Sequence, residues 1–202
     1  LTQVPNFTVT VLNGHPRLIS ILLGAFIVGV ALGSLLCNRL SRGVVEPGIV
    51  PLGAIGLSIF AFDLSFASIA YQETHGSLSA VMPMQFLGLD GGPHILIDLV
   101  LIGMFGGFFI VPLNSMVQQR TAANNRARVL SVNAIMNAAY MVGGSLLGIF
   151  FLSILGWSIM SFFITVAVMN VLVVGIIFVR IPEFFSRFKL WSFSRFKLLS
   201  NR

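Results

Sequence analysis

Apolar positions along the chain gather in long blocks instead of alternating with polar ones. The blocks are Leu18–Cys37, Ile49–Tyr71, Ile95–Val117, Val129–Leu152 and Trp157–Val179, each with few or no charges inside it. A bilayer core about 30 Å thick takes about 20 apolar residues of helix, so these five blocks predict five complete transmembrane helices. The opening LTQVPNFTVTVLNG is shorter and more polar. Residues 1–12 are expected to be the outer end of a sixth span cut by the start of the chain. The first residue is Leu and no basic stretch precedes an apolar one. No signal peptide is expected, and the segment reads as an internal piece of a longer polypeptide.

The polar intervals differ in charge. Arg39 and Arg42 follow the first full block; Arg120, Arg126 and Arg128 lie between the third and fourth; Arg180 begins a tail with Arg187, Lys189, Arg195, Lys197 and Arg202. Arg17 alone precedes the first full block, and residues 72–94 hold no Lys or Arg. Basic loops stay in the cytoplasm during insertion, so the basic intervals and the C-terminus are expected inside and the 72–94 loop outside. The domains expected are a helical bundle over 1–181 and a basic amphipathic cytoplasmic tail over 182–202.

Composition reinforces this division. The chain is 56% hydrophobic and 9% charged, with 19 Phe and a mean hydropathy of +0.97. A soluble domain carries about a quarter of its residues charged, so a soluble fold is excluded. The net charge of +6 sits beside the spans, where anionic lipid headgroups and not nucleic acid are the expected counter-charge. The tail repeats SRFKL at 186–190 and 194–198. It reads either as an interfacial helix on the inner leaflet or as a basic end without function. The single Cys37 has no partner for a disulfide or a paired-cysteine metal site. Neither a metal nor another cofactor is expected.

Enzymatic motifs are absent. No glycine-rich phosphate loop, cysteine pair or G-x-S-x-G elbow occurs, so no catalytic residue is assigned. His94 and Asp98 in HILID share one helix face. The acyltransferases of glycerolipid metabolism also pair His with Asp, but their surrounding pattern is missing, and a satisfied pair at the outer mouth is expected. Asp98 is placed about one turn inside the boundary, within reach of water. Asp63, in FAFDLSF, lies well inside its block, where a charge costs on the order of 3 kcal/mol. It serves proton coupling or a cationic headgroup, or is neutralised by a neighbouring helix and holds the bundle together.

Asn133 and Asn137 stack four residues apart with Tyr140 behind them. Such a stripe is either helix glue or part of a polar pathway. Gly29–Gly33, Gly103–Gly107 and Gly144–Gly148 form G-x-x-x-G, which permits close helix approach. In GMFGGFFIVPLNSMVQQR, residues 103–120, Gly106, Gly107 and Pro112 are expected to let the helix bend. Asn114 falls towards the inner end of the same helix.

Two stretches carry a resemblance. GVALGSLLCNRLSRGVVEPGIVPLGAIG resembles a loop signature of the major facilitator superfamily in its C-terminal-half version, through Gly33, Asn38, Arg39 and Arg42. Asn38 stands where relatives often carry an acid, which departs from the charge-pair gate of that signature. LIGMFGGFFIVPLNSMVQQR with NNRARVLSVNAIMNA is similar to the lysophospholipid transporter branch, especially to forms fused to an acyl carrier protein-dependent acyltransferase. The likeness covers residues 1 to about 185 and is most specific over 103–137.

The resemblance implies an all-α membrane protein, the C-terminal six-helix half of a twelve-helix major facilitator fold, in the bacterial inner membrane. It implies alternating access around a midplane site, with inward movement of lysophospholipid. The implied partners are membrane lipids, the lysophospholipid, the missing N-terminal half and an acyltransferase. Asp63, Asn114, Asn133, Asn137 and Tyr140 would meet the headgroup, and FGGFFI the acyl chain. Two other readings stand beside it: efflux of other amphipathic compounds, and a truncated remnant that does not transport.

Overall fold

Each predicted block is a helix in a computed structural model of the chain, which describes residues 3–41, 48–78 and 80–180. The elements are α1 (Val4–Thr10), α2 (Pro16–Ser41), α3 (Ile49–His75), α4 (Pro83–Gly88), α5 (Gly92–Arg120), α6 (Arg126–Ile149) and α7 (Ile159–Arg180). A π-helical turn, Phe150–Ile154, continues α6. Among the described residues there is no strand, only a single bridge between Gly14 and Val81. Five helices are long and apolar enough to cross a membrane, with mean hydropathies from 1.7 to 2.5. The chain is therefore an all-helical, multi-pass membrane protein.

The helices outrun their apolar blocks because polar end residues still find helical partners. Pro16 opens α2, a position that needs no backbone donor. Arg39 and Arg120 occupy the last turns of α2 and α5, where a cation meets the negative end of the helix dipole. Inside the spans, hydroxyls bond back to the preceding turn: Ser34 to the Val30 carbonyl, Ser65 to that of Ala61 and Ser68 to that of Leu64. No hydroxyl of these three is left to seek a partner in hydrocarbon.

Helix α5 is the central strut. It runs parallel to α2, with the Gly29 and Gly33 backbone against Val100 and Met104, and Gly103 and Gly107 against Phe26, Val30 and Ser34. Two of the three G-x-x-x-G motifs thus face each other; a methyl group at Gly29, Gly33 or Gly103 would strike backbone, and one at Gly107 would crowd it. Its other face packs antiparallel on α3. A Cβ on Gly53 would lie 2.7 Å from the Phe109 nitrogen, and Phe60 stacks on Phe105 with ring centroids 5.4 Å apart. Cys37, Ile49 and Phe108 close the arginine-bearing end of this three-helix unit.

At the opposite end α4 caps the bundle. This short helix lies in the interval read from sequence as an outer loop. Phe86 is fully buried against Tyr71, at 5.5 Å between centroids, within a cluster that includes Phe7, Leu18, Leu64 and Ile95. Across the Gly14 bridge, the His15 N–H donates to the Val81 carbonyl and the Val81 N–H donates to the Asn13 carbonyl. The stretch expected to end a sixth span contains α1, and Phe7 packs on Phe163 of α7.

Helix α6 contrasts with the rest. Only 6% of its apolar window is buried, against 50% for α3 and 44% for α5. A Cβ on Gly144 of the third G-x-x-x-G motif would meet none of the described residues within 4 Å, and one on Gly148 would meet the Gln3 side chain. α7 packs on α3 and is joined to it by Asn170 Nδ2 donating to Ser58 Oγ at 2.9 Å.

Candidate functional site

Antiparallel packing of α3 on α5 brings three ionisable side chains together. Gly91, just before α5, lies beside the Tyr71 ring. Eight residues earlier on α3, about two helical turns, Asp63 comes level with the first two turns of α5. His94 Nε2 donates to Asp63 Oδ2 at 3.1 Å, and the same nitrogen is 3.7 Å from Asp98 Oδ2. One donor atom from each of Asp63, His94 and Asp98 lies within 4.8 Å of the others.

Their exposures differ, and at Asp98 the structure departs from the expectation. Asp63, the deeper residue along its own block, has a side chain 46% exposed, and His94 is 54% exposed. Asp98, expected within reach of water, is 1% exposed. The reason is rotational: Asp98 sits on the face of α5 turned into the bundle. The expected His94–Asp98 pair is also altered. At 3.7 Å the two are in ionic contact but outside hydrogen-bond range, and the imidazole bonds across to α3. Among the described residues, the buried Asp98 Oδ2 has no hydrogen-bond partner.

The remaining candidates lie elsewhere. Asn137 and Tyr140 are exposed along α6 and Asn133 is partly so, and none has a side-chain hydrogen bond with another described residue. Asn114 is exposed on α5, four turns beyond Asp98. Asp63 is therefore gathered with His94 and Asp98, while the amide stripe stands apart on a helix that packs on little besides its own π-helical continuation.

Of the expected bend, Pro112 is buried within a helix that remains continuous from Gly92 to Arg120. Gly107 is engaged by α2, whereas a Cβ on Gly106 would meet only the tip of Leu57, at 3.9 Å. Gly33 is buried in the same contact, and Asn38 and Arg39 are exposed near the end of α2. Arg42 and the tail, 182–202, lie outside the described residues.

Sequence reasoning missed Asn170, although a lone amide in the run VAVMNVLVV was a signal that a partner existed. It also missed a pocket of about 390 Å³ between α1, the π-helical turn and the start of α7, whose polar lining includes Asn6, Thr10, Gln72, Ser153 and Ser158. No family model matches the chain, and no curated protein or solved structure matches it either.

Proposed function

We propose that the protein is one helical unit of a transporter, working by alternating access, that moves lysophospholipid across the bacterial inner membrane. The observation that carries this reading is α6: a helix long enough to span the membrane, unpacked along most of its length, with Asn133, Asn137 and Tyr140 along it. Amides facing hydrocarbon alone are unfavourable, so such a helix belongs against a second helical unit or a wet pathway. The resemblance of residues 103–137 to lysophospholipid transporters supplies the cargo class and names an N-terminal six-helix half as that second unit.

The cargo chemistry suits the surface. A lysolipid has one acyl chain and a polar head, and so needs an apolar wall with a few hydrogen-bonding groups. Ile135, Met136, Met141 and Val142 are exposed beside the amides. Arg39, Arg120, Arg126 and Arg180 gather at one end of the helices, which supports placing that end, and the C-terminus, in the cytoplasm. The resemblance also names an acyltransferase as the user of the imported lipid.

Lysophospholipid uptake by vesicles containing the full-length protein tests this reading. Asn133→Ala with Asn137→Ala removes two membrane hydrogen-bonding groups worth about 0.6 kcal/mol each, and uptake should fall by roughly an order of magnitude with inserted protein unchanged. Unchanged uptake takes both residues out of the pathway. Equal uptake after deletion of this whole region removes the function.

A further inference from the structure

We propose that Asp63, His94 and Asp98 form a binding site for a divalent transition-metal ion of the zinc type, which ties α3 to α5 near the end capped by α4.

Three features converge on an ion. The donor atoms already stand as ligands must: His94 Nε2 is 3.1 Å from Asp63 Oδ2 and 3.7 Å from Asp98 Oδ2. Zinc takes imidazole nitrogen and carboxylate oxygen at about 2.0–2.2 Å, which separates neighbouring ligands in a tetrahedron by about 3.4 Å. The cluster needs only small side-chain shifts to reach that geometry. The third separation is also short, since all three atoms lie within 4.8 Å of one another.

The second feature is Asp98 itself. Its side chain is 1% exposed, its Oδ2 has no hydrogen-bond partner among the described residues, and that oxygen is turned towards His94. A buried carboxylate oxygen left without a partner is costly. A single Nε2 proton serves Asp63 and does not also reach Asp98 at bonding distance. An ion in the centre satisfies all three donors at once, displacing the Nε2 proton as it binds.

Charge and access are the third. Two carboxylates and a neutral imidazole sum to two negative charges, which a dication cancels. Asp63 and His94 are half exposed on the α3–α5 surface, which leaves room beside them for a further ligand in an open position. The nitrogen ligand and the small ligand number favour zinc, cobalt or a similar ion over calcium, which takes six to eight oxygens, and magnesium, which takes oxygens in an octahedron. The site does not depend on lysolipid being the cargo.

The test uses the full chain in lipid nanodiscs, stripped with a chelator and titrated with Zn²⁺ by calorimetry and with Co²⁺ by its visible d–d absorption. One ion per chain is expected, with cobalt bands of low coordination number. His94→Ala should abolish both signals at concentrations that saturate the unsubstituted protein, whereas His15→Ala and His75→Ala should leave them intact. Because Asp98→Asn risks misfolding in a buried position, the half-exposed Asp63→Asn provides a second ligand variant and should weaken binding with helical content unchanged. Zn²⁺ should also raise the unfolding midpoint of the unsubstituted chain and not that of His94→Ala, since an ion that binds only the folded state stabilises it. Absence of binding by the unsubstituted chain, or binding retained in His94→Ala, would overturn the site.

Discussion

Helices α5 and α6 are both long and apolar enough to cross a membrane, yet they play opposite parts. α5 spends its glycines on neighbours: Gly103 and Gly107 sit against α2, and Gly53 and Gly56 of α3 admit Phe105 and the main chain around it. α6 carries the same motif at Gly144 and Gly148, and a Cβ on Gly144 would meet none of the described residues. G-x-x-x-G therefore specifies a contact only when a second grooved helix arrives in register. In lipid, where apolar surface gains little from leaving the solvent, close packing and polar bonds decide which helices associate.

The comparison breaks most visibly at the glycines of the α2–α5 contact. Gly33→Leu drives a side chain into the Met104 backbone and should cost about 3 kcal/mol or more, the upper range of overpacking. Reversible unfolding in bicelles measures it, and a loss no larger than that of a surface change would mean the two helices are held some other way. The zinc effect comes next in size. At a free ion concentration 100 times its dissociation constant the gain is about 2.7 kcal/mol, and it should vanish in His94→Ala.

Asn170→Leu should cost less, about 0.6 kcal/mol and at most about 1.7, as the Asn170–Ser58 hydrogen bond between α7 and α3 is lost. The accompanying readout is a double-mutant cycle with Ser58→Ala, in which the two single losses should not add. Smallest of all, Gly144→Leu on α6 should fall within about 0.5 kcal/mol in the isolated chain. Repeating it with the proposed second helical unit present gives the contrasting result: a marked loss there would reveal a helix of that unit seated on this face.

The five spans were legible because hydropathy acts locally: about 20 apolar residues in a row leave few other structures. Their ends were less so, since Pro16, Arg39 and Arg120 are polar or helix-breaking by composition but well suited to helix termini. α4 escaped because its length, Pro83–Gly88, is too short for a periodic signal, and its fold depends on Phe86 finding Tyr71.

The site divides in the same way. The i, i+4 spacing of His94 and Asp98 was readable, as was the oddity of Asp63 in an apolar run. Their meeting was not, because the register of α3 against α5 is set by Gly53, Gly56 and the phenylalanines at the far end of the contact. Nor does local sequence say which face of α5 turns inward, and that rotation makes Asp98 the buried member.

The parallel α2–α5 contact also sets an order of events during synthesis. The groove of α2 emerges from the ribosome about 70 residues before its partner, a delay of roughly 4–14 s at ordinary elongation rates. During that interval Gly29 and Gly33 face lipid or whatever protein guards nascent helices, while α3 is already threaded. The nascent chain thus carries an unfilled docking face for many seconds, and slowing translation between α3 and α5 would lengthen its exposure to quality-control proteases without altering a single residue.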